Sequence, residues 1–133
     1  KEFIEKLFIG YRESFNDPKK ILNKYSLGIA HHKAIHLISL HQGITISQLL
    51  GKLKVTKQSL NRVLKDLISL DAIQFKKGEK DTRLKHVFLT KKGNQIFNEI
   101  FFAQKKRIYK ALINSSSVEI NSFNNVLKKI INE

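Results

Sequence analysis

The stretch from residue 45 to residue 70 leaves this chain few folds to choose from. Thr45-Ile46-Ser47-Gln48 has the Thr-x-x-Gln form of a capping box, in which hydroxyl and amide each satisfy an orphan backbone donor of a helix start. A short helix therefore opens there and runs to about Leu53. Lys54-Val55 has room only for a tight turn before Thr56 offers a second cap, and the spacing predicts a longer helix over 57–70. In that helix Leu60, Val63, Leu64 and Leu67 fall at i, i+3, i+4 and i+7, one stripe that must face a core. Two helices joined so briefly, the second polar on one side, make a helix-turn-helix.

The flanking segments complete a recognisable order. Residues 73–77 and 85–89 alternate in the manner of strands, and the polar tip Gly78-Glu79-Lys80-Asp81-Thr82-Arg83 joins them into a β-hairpin, a wing. Upstream, 29–41 is helical in pattern, with Ala34, Leu37 and Ile38 as core candidates and Gln42-Gly43 as its stop. Residues 1–15 carry Phe3, Ile4, Leu7, Phe8, Tyr11 and Phe15 at three- and four-residue steps, a wide and strongly aromatic stripe. Asn16-Asp17-Pro18 ends that helix, with Asp17 as a cap and Pro18 opening a short helical turn. A long helix is expected from Thr90 to about Leu112, a break at Asn114-Ser115-Ser116-Ser117, and a last helix over 118–131. The expected fold class is mainly α with a small β-hairpin wing. There is no internal repeat and no linker, so 1–133 reads as a single domain.

Charge narrows the function. Lys plus Arg number 25 against 11 Asp plus Glu, a formal net charge of +14. Residues 52–92 hold 12 basic and 4 acidic side chains, net +8, whereas the segments on either side carry +3 each. Such a concentration fits a polyanionic partner, nucleic acid first and an anionic membrane surface second. The membrane reading is weaker, because the basic cluster accompanies a hairpin and not one basic amphipathic helix. On the 57–70 helix the face opposite the leucines presents Lys57, Gln58, Asn61, Arg62 and Lys65, with Thr56 and Ser59 at its start. Arg bonds guanine bidentately, Gln or Asn does the same with adenine, and Lys and exposed helix-start amides serve phosphates. An ordinary surface helix would mix Glu with Lys; here Asp66 is the only acid. Around the wing stand Lys76, Lys77, Lys80, Arg83 and Lys85. Arg83 either enters a narrow minor groove, or pairs with Asp81 or Glu79 to hold the tip, or does both.

Other chemistries lack their residues. The chain has no cysteine, which excludes disulfides, thiolate redox sensing and Cys-type zinc sites. No apolar run approaches the roughly 18 residues of a membrane span, and Lys1-Glu2-Phe3-Ile4-Glu5 is not a signal peptide. A soluble, cytoplasmic protein is the expectation. Neither a Gly-rich phosphate loop nor a Gly-x-Ser-x-Gly elbow is present, so no enzyme and no cofactor are expected. His32 and His36 have the spacing of a zinc-protease helix, but Lys33 stands where the general-base glutamate would be. The histidines at 31, 32, 36 and 41 are read as caps, hydrogen-bonding groups or pocket lining, with no metal.

The stretch 44–93 resembles the MarR family of winged helix-turn-helix transcriptional regulators. The resemblance rests on Val55-Thr56-Lys57-Gln58-Ser59-Leu60-Asn61-Arg62-Val63-Leu64-Lys65-Asp66-Leu67 and on Asp81-Thr82-Arg83 leading to Leu89-Thr90 and Gly93, the family's Asp-x-Arg wing signature. It implies a winged core over about 29–92 and dimerisation helices over about 1–15 and 93–133. It implies a homodimer on double-stranded DNA, with Lys57, Gln58, Ser59, Asn61 and Arg62 in the major groove and Arg83 in the minor groove. It also implies a small-molecule effector pocket between the dimerisation helices and the DNA-binding lobe. Asp71 departs from the pattern, standing where the family has Gly. The function expected is sequence-specific regulation of transcription on a pseudo-palindromic operator; the alternative is a winged-helix module that binds protein or RNA without operator specificity.

Overall fold

The structure, a computed structural model, describes residues 1–132. Its elements are α1 (Glu2–Asn16), α2 (Lys19–Lys24), α3 (Ile29–Leu40), β1 (Ile44–Thr45), α4 (Ile46–Leu53), α5 (Lys57–Ser69), β2 (Ile73–Lys77), β3 (Lys85–Leu89), α6 (Lys91–Ile113) and α7 (Ser117–Ile130). Most follow the local signals. The Thr45 hydroxyl accepts the Gln48 N–H at 3.1 Å while the Gln48 side chain accepts the Thr45 N–H at 3.0 Å, the reciprocal box expected of α4. Ser116 and Glu119 make the same reciprocal box at the start of α7, whereas Thr56 and Thr90 cap α5 and α6 by accepting one N–H each, from Ser59 and Gly93.

The core gathers around α3. Ile35 and Ile38 are fully buried against Leu49 of α4, Leu60 and Leu67 of α5, Val87 of β3, and Ile96 and Ile100 of α6. Val63, expected in the same stripe as Leu60, Leu64 and Leu67, is only half-buried, and so is Leu37. The sheet is antiparallel in the order β1-β3-β2, with Ile44 opposite Val87, and Phe75 also opposite Val87 from the other side. The expected hairpin is therefore a three-stranded sheet: the two-residue β1 is too short to show a period and exists through its pairing with β3.

Asp17 corrects a second expectation. It does not cap the next helix; it closes α1 in right-handed geometry and accepts from Arg107 of α6 at 2.6 and 3.0 Å. The Arg107 guanidinium accordingly holds its carboxyl below the usual range. Pro18 precedes α2 as its N-cap residue.

The chain leaves α5 through a tightly determined turn. Asp71 adopts φ 60°, its N–H reaching the Ile68 carbonyl at 2.9 Å and the Ala72 N–H reaching Leu67 at 2.8 Å, the paired bonds of a Schellman motif. Asp tolerates this left-handed position better than most residues, which accounts for its standing in place of Gly. The Ala72 carbonyl then accepts from Thr90 N at 3.0 Å. Gly93 lies so close that a Cβ there would fall on that carbonyl.

One polar side chain is buried among the apolar ones. His32 is 1% exposed, its ring 5.2 Å from Phe15 of α1, and its Nδ1 has no hydrogen-bond partner. Burial, with His36 and Lys33 adding like charge, pushes its pKa below 6.5 despite a favourable contribution from Gln104; burial also lowers His36. Below pH 6.5 the unfolded chain thus takes up protons that the folded chain refuses, so stability present at neutral pH is lost as pH falls. Urea midpoints followed from neutral to mildly acid pH should decline in the wild type. The decline should be shallower in His32→Gln, with the remainder traceable to His36.

Candidate nucleic-acid interface

Leucine burial sets the orientation of α5. Leu60, Leu64 and Leu67 are at most 4% exposed. At 100° per residue, that turns Gln58, Asn61, Arg62 and Lys65 outward, with Ser59 at the flank; Lys57, three residues before Leu60, projects because it opens the helix, and all six are exposed. At the helix start the Thr56 hydroxyl accepts the Ser59 N–H at 3.1 Å and donates to the Ser59 hydroxyl at 2.8 Å. The cap therefore also orients Ser59, and the remaining first-turn amides face outward with the positive end of the helix dipole. Lys54, ahead of it, turns the chain at φ 52° and ends α4 with its N–H on the Leu50 carbonyl.

The wing is held at its tip as well as at its root. The Asp81 carboxylate accepts from Arg83 three times: from the backbone N–H at 3.0 Å, and from Nε and Nη2 at 3.1 Å each. The pair lowers the Asp81 pKa and raises that of Arg83. It does not hide the guanidinium, for the Arg83 side chain is 89% exposed. The two readings left open for Arg83 are thus physically compatible, an aspartate aiming a projecting cation. Gly78 is needed here, because a Cβ would collide with the Asp81 carbonyl. Lys76 and Lys85 lay their ammonium groups 4.9 and 5.8 Å over the rings of Phe88 and Phe75, and Lys80 stands exposed at the tip. The structure thus gathers one set of sequence-derived candidates on a single face of α5 and a second, Lys80 and Arg83, at the wing tip.

Sequence reasoning missed one contact of α5. His31 on α3 accepts the Gly28 N–H on Nδ1 at 3.0 Å, and its Nε2 lies 2.9 Å from the Asp66 carboxylate. The lone acid on a basic helix was the only signal, and its partner is 35 residues away.

Two concavities accompany the interface. Between α1, α3, α4 and α6 lies a cleft of about 470 Å³ where His32, His36, Lys33, Lys52 and Gln104 meet Phe15, with no carboxylate in the lining. Along α1 runs an open apolar groove of about 860 Å³, walled by Phe3, Leu7, Phe8 and Tyr11 together with Ile108 and Phe123. Among the described residues no three His, Asp or Glu side chains come together to hold a metal, and no helix is long and apolar enough to cross a membrane.

Comparison with known proteins gives these features a context. No protein-family model matches the chain. The HTH-type transcriptional regulator PetP of Rhodobacter capsulatus is 38% identical over 128 residues, spanning 96% of this chain and 77% of the relative. Among solved structures, a MarR-family transcriptional regulator from Silicibacter pomeroyi superposes with a TM-score of 0.80 at 18% identity, over 94% of this chain and 84% of that one. A mutant MarR from E. coli, complexed with operator DNA, superposes with a TM-score of 0.70 at 21% identity, over 95% and 91%.

Removing the cap tests how firmly the outward face is set. Thr56→Ala should cost about 1 kcal/mol in urea denaturation. It should also speed amide exchange at Ser59, whose N–H the hydroxyl holds, while exchange at buried Leu67 rises only by the loss of global stability.

Proposed function

Because the chain belongs to the MarR family of winged helix-turn-helix transcriptional regulators, we propose that it acts as a homodimer on a pseudo-palindromic double-stranded DNA operator. The observation that carries this reading is the exposed surface of α5, where Gln58, Asn61, Arg62 and Lys65 face away from three buried leucines and Lys57 and Ser59 stand exposed in the first turn. In this reading Gln58, Asn61 and Arg62 read base edges in the major groove. Thr56, Lys57, Ser59 and Lys65 contact the backbone, and Lys80 and Arg83 approach the adjacent minor groove. The winged core over about 29–92 does the reading; the helices over about 1–15 and 93–133 make the dimer.

The apolar groove supports the second copy. Neither α1 nor α7 has a buried residue, and Phe3, Ile4, Phe8, Val118 and Phe123 are each more than half exposed. A surface of that kind on a folded chain of this size is best explained by a partner that covers it. Two-fold symmetry would then set two α5 helices about one turn of DNA apart. The cleft beside His32 supports response to a small anionic effector: such a ligand would bear on α1, α3 and α6 together, and would act by favouring a dimer geometry whose two α5 helices no longer match the grooves.

Selection of bound duplexes from a random pool is the primary test, and an enriched inverted repeat is the expected result. No enrichment, with RNA bound as tightly as duplex across a salt titration, would favour the interaction-module alternative instead. On the selected site, Arg62→Ala should cost on the order of 1–3 kcal/mol relative to random duplex; equal losses on both would reassign Arg62 to a phosphate. Phe8→Glu should yield monomers in sedimentation and lose specific binding in the same step, and an unchanged dimer would place the interface elsewhere.

A further inference from the structure

We infer that His31 and Asp66 form a positioning pair that sets the roll of α5 and keeps Arg62 available; this rests on the reading that α5 faces DNA. The deeply buried contacts that hold α5 to the core are aliphatic, through Leu60, Leu64 and Leu67. Such contacts are strong but non-directional, and they tolerate small rotations about the helix axis. A hydrogen bond has a preferred length and angle. The 2.9 Å contact from His31 Nε2 to Asp66 Oδ2 adds that direction, tying the first turn of α3 to the flank of α5.

The donor is itself fixed. His31 Nδ1 accepts the Gly28 N–H, so in the neutral ring the proton sits on Nε2 and points at the carboxylate. The His31 side chain is 16% exposed and Asp66 53%, so the anchored partner is the more buried of the two. The pair also accounts for an acid on this helix. Arg62 and Asp66 stand at i and i+4, the spacing at which an arginine and a carboxylate on one helix ordinarily pair. Here His31 takes the carboxylate and leaves the guanidinium for the exposed face.

Three variants and one spectrum test the pair. Asp66→Asn keeps an acceptor for Nε2–H, whereas Asp66→Ala and His31→Ala remove one side of the bond. Discrimination between the selected operator and random duplex should stay within about twofold of wild type in Asp66→Asn. It should fall about tenfold in the two alanine variants, the low end of the loss expected when one base contact is misplaced. The double alanine variant should fall no further than either single one, as for residues acting through one contact. In the free protein, long-range proton–nitrogen NMR should show His31 as the Nε2–H tautomer. An Nδ1–H tautomer, unchanged discrimination in the alanine variants, or an Asn variant as impaired as the Ala variant would overturn the pair. A wild type that does not discriminate at all would instead sink the DNA reading on which the pair rests.

Discussion

Everything at the candidate interface depends on three leucines meeting α3. Burying a leucine side chain contributes about 1.5–3 kcal/mol, so Leu60, Leu64 and Leu67 together outweigh any preference the polar residues of α5 have for another orientation. Their partners are set just as firmly, since Ile35 and Ile38 are fully buried and α3 packs on α4, α5, α6 and β3. The outward direction of Gln58, Asn61 and Arg62 is therefore a consequence of the core. A site that reads an external surface gains from this arrangement, because its geometry is held by side chains that the ligand never touches.

The wing inherits its placement from the end of the same helix. The Schellman turn at Leu70–Ala72 delivers the chain into β2, and the Ala72 carbonyl receives Thr90 as β3 hands over to α6. Thr90 then donates its hydroxyl to the Asp71 carbonyl at 2.5 Å and accepts the Gly93 N–H at 3.0 Å. Four residues thus join the end of α5, the root of the wing and the start of α6, and Gly93 is among them because a side chain there would collide with the Ala72 carbonyl. The opposite regime governs α1 and α7. They contribute no buried residue, and what ties α1 to α6 within the chain is polar: Asp17 to Arg107, and Ser14 to Gln104.

How much of this was legible follows from the range of the forces involved. The caps at Thr45 and Thr56, the start of α6 near Thr90, the strands at 73–77 and 85–89 and the stripe of α5 are local, and the structure has them within a residue or so of their expected places. The turn at Asp71 was legible only through the resemblance, in which Gly holds that position. Distant partners left weaker traces. The strand β1 needs Val87, Asp17 needs Arg107, and His31 needs Asp66, each far along the chain. The core role of Ile35 and His32 was obscured for another reason. Helix α3 is apolar around most of its circumference, so a 3.6-residue period does not single out the inward face. The exposed face of α5 was legible as a pattern of residue types; the contact that ties its flank to α3 was not.

The acids of the basic middle third shape its surface. Asp66, Asp71, Glu79 and Asp81 are the only carboxylates set against 12 cations. Three of the four have a structural use: Asp66 accepts from His31, Asp71 supplies a left-handed turn, and Asp81 aims Arg83. Used in this way they shape the segment without cancelling its field. The Asp81–Arg83 pair shows the balance most clearly. It is solvent-exposed, and exposed ion pairs contribute little because water and salt compete for both partners. It can therefore hold a guanidinium in one direction while the protein is free and still yield it to a phosphate or a base edge in a narrow groove, where the surrounding negative potential is stronger. A buried pair would aim the arginine equally well but would resist giving it up. The exposed position of Asp81–Arg83 is thus the placement that makes orientation and release compatible.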